Sequence, residues 1–119
     1  MSLAQPVTIV TCSGISNTGK VTTQTGAALL RRCSGAVESC IPANRPTALL
    51  QNALRHADMI LVLDGCGDCC GKKKLQALGI KAHLHLIATD CGIEKNGMAE
   101  PSFEEIERLA AAVLEAVRR

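Results

Sequence analysis

Residues 59–64, MILVLD, are apolar without interruption up to the closing aspartate, and this run constrains the fold more than any other feature. A strand alternating polar and apolar residues would leave one face of its sheet wet. An unbroken Met-Ile-Leu-Val-Leu run needs cover on both faces, which in a small chain means a parallel sheet between helices. The flanking sequence supplies both parts. VTIVTC at 7–12 is a second short β-branched run, stopped by Ser, Gly and Asn. AVESC, ending at Cys40, is a weaker strand candidate, and AHLHLIAT at 82–89 is a fourth.

Between these runs the spacing becomes helical. Residues 18–32 place Val21, Thr25, Ala28 and Leu29 on one face, and Pro46 starts a segment carrying Leu49, Leu50, Ala53, Leu54 and Ala57. A third helix is predicted from Cys69 or Cys70 to Gly79, a residue suited to the left-handed position past a helix end. The last begins with a capping box, Ser102 with Glu105. It aligns Phe103, Ile106, Leu109, Ala110, Val113, Leu114 and Val117 on one side. The order β-α-β-α-β-α-β-α predicts a three-layer α/β fold with a small four-stranded parallel sheet and right-handed crossovers. The simplest strand order is 2-1-3-4, a truncated flavodoxin/Rossmann-like arrangement. With no repeat, linker or low-complexity segment, residues 1–119 read as a single domain.

Composition narrows the partners. A formal net charge of +2 offers no electrostatic case for nucleic acid or a membrane surface. No Trp or Tyr and a single Phe, Phe103, leave nothing for stacking bases or caging a cation. The opening MSLAQPVTIV has neither the basic nor the long apolar part of a signal peptide, and no apolar run is long enough to span a bilayer. A cytoplasmic, reducing location is therefore expected. There, seven cysteines call for a metal or for redox chemistry before structural disulfides.

The cysteines follow the predicted strands: Cys12, Cys40, Cys66 and Cys91 each lie at or within two residues of a strand end. In a parallel sheet those ends share one edge, where such folds bind ligands. Strand spacing of ~4.8 Å places three neighbouring loops within reach of one tetrahedral zinc. Cys12, Cys40 and Cys66 fall on adjacent strands. The fourth ligand comes from DGCGDCCGKK as Cys69 (C-x2-C) or Cys70 (C-x3-C), where a helix start would favour the thiolate. Lys20, Lys72 and Lys73 are candidates for offsetting its charge. Cys33 reads as a buried small hydrophobe, and Cys91 as a residue at the margin of the site.

Four segments, TCSGISNTGK, ESC, LDGCGDCCGKK and TDCGIEKNG, resemble the DGC-domain family, small prokaryotic proteins described as zinc-binding. The hallmark Asp-Gly-Cys with a cysteine four positions on is met by Asp64, Gly65, Cys66 and Cys70. Cys-Ser-Gly is met by Cys12, Ser13 and Gly14, the isolated middle cysteine by Cys40, and the last motif by Thr89 to Lys95. The resemblance implies a four-cysteine metal site and selects Cys70 over Cys69, giving Cys12, Cys40, Cys66 and Cys70 as metal ligands, with zinc as the cofactor. It implies no enzymatic activity. Cys69, Cys91 and Gly71 depart from the family pattern.

Competing readings have identifiable weaknesses. Gly14 to Lys20 reads G-x4-G-K, but Val21 stands where a phosphate-binding loop needs Ser or Thr for magnesium. A phosphatase C-x5-R is absent, since Thr18 occupies the arginine position. The Cys66/Cys69/Cys70 group could serve a thiol-disulfide oxidoreductase, which leaves Cys12 and Cys40 without a role. An iron–sulfur cluster would also use four thiolates. His83 and His85 form an H-x-H pair, but a strand running to Thr89 puts them ~20 Å from its far end at ~3.3 Å per residue. They are read as packing or edge residues. Glu94, Lys95, Asp64 and Asp90 lie on the ligand edge.

Overall fold

The structure, a computed structural model, describes residues 6–33 and 35–118. The segment MSLAQ, included above in the reading that no leader is present, lies outside them. Strands β1 (Val7–Thr11), β2 (Val37–Pro42), β3 (Met59–Asp64) and β4 (Leu84–Ile87) alternate with helices α1 (Asn17–Arg32), α2 (Thr47–Leu54), α3 (Cys70–Ala77) and α4 (Phe103–Arg118). The sheet is wholly parallel, in the order β2-β1-β3-β4. The α/β fold and strand order match the sequence expectation.

Both central strands are buried on both faces, because successive side chains enter two different cores. Val7, Ile9, Leu61 and Leu63 pack with Val21 and Leu29 of α1 and Leu109 and Val113 of α4. Val10, Ile60 and Val62 pack on the other face with Leu50, Leu54 and Leu75. Burial of each such side chain contributes about 1.5–3 kcal/mol, which makes the two central strands the rigid support for the loops at their ends.

Two expectations are corrected. β4 spans four residues rather than eight. At its start the N–H of Ile60 donates to Nδ1 of His83 at 3.0 Å, so an imidazole replaces a strand carbonyl. At its end Ala88–Cys91 forms a 3₁₀ turn closed by Gly92 at φ +87°. The second correction is Phe103, placed on the apolar face of the last helix but 71 % exposed. It is the first residue of α4, within the reciprocal cap in which Ser102 N–H donates to Glu105 Oε1 and Glu105 N–H donates to Ser102 Oγ. The buried residues of α4 begin with Leu109.

Candidate metal centre

The strand ends and the starts of α1 and α3 enclose a cleft of about 230 Å³. Its first wall is the loop after β1. Ser13 takes a left-handed conformation (φ +53°), and Ser16 caps α1 by accepting the Gly19 N–H at 3.1 Å. The loop folds so tightly that a Cβ on Gly19 would lie 2.5 Å from the Gly14 carbonyl oxygen. Cys12 opens this loop, with its N–H donating to the Leu63 carbonyl at 3.0 Å and its sulfur 3.7 Å from Thr22 Oγ1.

The second wall is the turn from β3 into α3. Here the glycine of Asp-Gly-Cys has a steric reason: a Cβ on Gly65 would sit 2.7 Å from the Thr18 carbonyl. Only glycine lets the end of β3 close on the start of α1, which brings Cys66 to the cleft that Cys12 lines. Cys69 precedes α3 in the left-handed region at φ +51°, uncommon for a residue with a side chain. Cys70, exposed, is the first residue of α3. Cys12, Cys66, Cys69 and Cys70 thus all line one cleft, together with Asp64 and Asp68.

Asp64 anchors that wall. Its carboxylate, fully buried, accepts the N–H groups of Gly71 at 2.7 Å and Lys72 at 3.2 Å, the unpaired donors of the first turn of α3. Its Oδ2 also lies 2.7 Å from Nε2 of His85. His85 stands opposite Val62 and Ile87 opposite Asp64. Because β4 stops at Ile87, His85 is two residues from the strand end and its imidazole reaches the site, correcting the reading that kept it remote. An oxygen of Asp64, the sulfur of Cys69 and a ring nitrogen of His85 all lie within 4.8 Å of one another. These three side chains form a possible metal-binding group. Burial first, then the charge of Asp64, push the Cys69 thiol up, while Lys72 and Lys73 pull it down.

Cys40 is elsewhere. It pairs in register with Ile9, three residues before Cys12, or ~10 Å back along the sheet at ~3.3 Å per residue. Its sulfur rests on α1, 2.4 Å from where a Cβ of Gly26 would be. It adjoins the core shared by α1 and α4, and burial pushes its thiol up. Of the four sequence candidates, the structure brings Cys12, Cys66 and Cys70 to the cleft and leaves Cys40 outside its lining. Cys33 and Cys91 also pack against the α1/α4 core.

Lys20 is engaged away from the cleft, donating to the Met98 carbonyl at 2.7 Å and pairing with Glu100 at 2.6 Å. Buried Asn17 is a structural residue that the sequence reading missed. Its amide donates to the Glu94 carbonyl, its Oδ1 accepts from Asn96 N–H, and its own N–H bonds the Gly97 carbonyl. Those three bonds hold residues 94–97 against the start of α1.

Sulfur donors beside a carboxylate and an imidazole fit a borderline-soft divalent ion rather than magnesium or calcium. Among the described residues, no helix is long and apolar enough to cross a membrane. No curated protein and no solved structure matches the chain. The model of one family, the DGC domain, matches residues 8–113, nearly the whole length, and the chain belongs to the DGC-domain family.

Proposed function

We propose that the protein binds zinc in this cleft through the thiolates of Cys12, Cys66 and Cys70, and that it handles or senses the metal rather than catalysing a reaction with it. The observation that carries this reading is the convergence of cysteines from two separate strand ends on one small cleft. The starts of α1 and α3 both border it, so their partial positive charge offsets that of the thiolates. The four-cysteine set that the family resemblance implies would need Cys40, which packs on Gly26. Three thiolates leave one tetrahedral position for an exchangeable ligand, an arrangement suited to taking metal up and passing it on.

A thiol-disulfide role for Cys66, Cys69 and Cys70 finds less support, because it leaves Cys12, which lines the same cleft, without a part. The test is zinc content and competitive titration of the purified protein. Cys12→Ser, Cys66→Ser and Cys70→Ser should each weaken binding about 100-fold or more, above the 10–100-fold typical of losing a residue that only supports a ligand. Cys40→Ser should leave affinity unchanged. Loss of zinc from Cys40→Ser would restore the four-cysteine set, full retention in Cys12→Ser and Cys70→Ser would defeat the proposal, and a brown protein would replace zinc with an iron–sulfur cluster.

A further inference from the structure

We propose that Asp64 and Cys69 of the cleft wall form, with His85 behind them, a second cation site for a divalent first-row transition ion, separate from the Cys12/Cys66/Cys70 set. The donors come from three elements: the end of β3, the residue capping α3, and β4. They lie within 4.8 Å of one another. Ligands around a tetrahedral ion stand about 3.3–3.8 Å apart for bonds of about 2.0–2.3 Å. The Cys69 sulfur therefore needs to close by at most about 1 Å and the Asp64–His85 contact to open by about 0.6 Å, both within reach of side-chain rotation.

The hydrogen bonds of Asp64 to α3 and to His85 alone would be a structural anchor. Cys69 is what makes it a site. At φ +51° a glycine would be the unstrained choice, yet this position carries a thiol beside a buried carboxylate. A thiolate next to that carboxylate is unfavourable without a cation between them, and a divalent ion turns the repulsion into shared attraction. Asp64 is also held as metal-binding carboxylates are, with the Gly71 and Lys72 N–H groups fixing its orientation. One oxygen, one sulfur and one nitrogen select zinc, cobalt(II) or nickel(II) over the all-oxygen preference of magnesium and calcium.

The geometry of the second group does not depend on the thiolate reading above, and the two can fail separately.

The test is cobalt(II) titration of the metal-free protein, following bound equivalents and the near-ultraviolet thiolate-to-cobalt absorption. Wild type should bind two equivalents. Cys69→Ser and His85→Gln should each weaken one of them about tenfold or more, while Cys12→Ser should spare that one and weaken the other. Far-ultraviolet circular dichroism and urea unfolding of the metal-free variants confirm that each is folded, and Cys69→Ser covers the case of a His85 variant that is not. Two equivalents unaffected by Cys69→Ser and His85→Gln overturn the second site, and so does a single equivalent that these two variants retain. A single equivalent lost by Cys12→Ser and His85→Gln alike merges the groups into one centre and also overturns it. A single equivalent lost by Cys69→Ser and His85→Gln but kept by Cys12→Ser supports this site and removes the three-thiolate one.

Discussion

The α1/α4 side of the sheet and the cleft at its edge both hold cysteines, but they use them differently. Cys33, Cys40 and Cys91 pack against a core of Val, Ile, Leu and Ala. Cys12, Cys66, Cys69 and Cys70 line a cleft walled by loop backbone, two helix starts and Asp64. Burial class does not separate the groups, since all but Cys70 are half-buried. Surroundings do. Against hydrocarbon, a thiol is a small apolar side chain with no reason to ionise. Beside N–H groups, lysines and a carboxylate, the same thiol has partners for a charged form and for a cation.

The largest effect is expected where the cleft wall is anchored. Asp64→Ala would leave two N–H groups of α3 without their acceptor and remove the partner of His85. Leaving buried donors without an acceptor costs about 1–3 kcal/mol each. Urea unfolding of the metal-free protein should register that loss, and a change under about 1 kcal/mol would show that α3 is held by its apolar contacts instead. Such a result would blur the contrast, because the cleft wall would then depend on the same packing as the α1/α4 side.

Gly26→Ala probes the other group. The added Cβ would meet Cys40 Sγ at 2.4 Å and Thr11 Cγ2 at 3.2 Å. Overpacking costs about 1–3 kcal/mol, of which alanine's better helix propensity returns up to about 1 kcal/mol. Adding Cys40→Ala should recover most of the loss, giving a coupling of about 1 kcal/mol between the two positions in a double-mutant cycle. If Cys40 is only a packing residue, zinc content will stay constant through the cycle. Loss of zinc on Cys40→Ala would move this thiol into the cleft group and break the division.

The layout of the fold was legible because it rests on apolar periodicity: MILVLD, VTIVT and the face of α4 each carry their own evidence. The cleft was legible in part. Cys12, Cys66 and Cys70 sit beyond strand ends, so topology alone gathers them on one edge. Cys40 falls outside the cleft lining because β2 continues two residues further, to Pro42, and register decides how far back along the sheet a thiol falls. His85 was misjudged for the complementary reason: β4 stops two residues early, which moves an interior position toward the edge. Strand ends depend on loop hydrogen bonds such as Ile60 N–H to His83, which no local pattern announces. The family pattern favours Cys70 over Cys69, and the left-handed backbone angle at which Cys69 meets Asp64 leaves no trace in the sequence.

The smallest effect expected is a difference in alkaline stability, and it tests the division from the side of the buried thiols. Burial pushes the thiols of Cys40 and Cys91 up, with Asp90 adding to the shift at Cys91. As pH rises through the ordinary thiol range, about 8 to 10, the unfolded chain releases these protons while the folded chain keeps them. The native state then binds more protons than the unfolded one, so stability falls with rising pH; below that range both states are protonated and the two thiols add no slope. Metal-free Cys40→Ala and Cys91→Ala should each lose less stability than wild type between the two ends of that range, measured as urea midpoints. Cys69 is shifted the same way, so Cys69→Ser belongs in the series as the cleft's representative. What distinguishes the groups is the response to metal. Saturating zinc should leave the contributions of Cys40 and Cys91 in place and reverse that of Cys69: a coordinated thiol has already given up its proton, so there the unfolded chain binds more protons and stability rises with pH until the unfolded thiol ionises. Zinc that reversed all three slopes would mean that burial in hydrocarbon does not keep Cys40 and Cys91 from the metal.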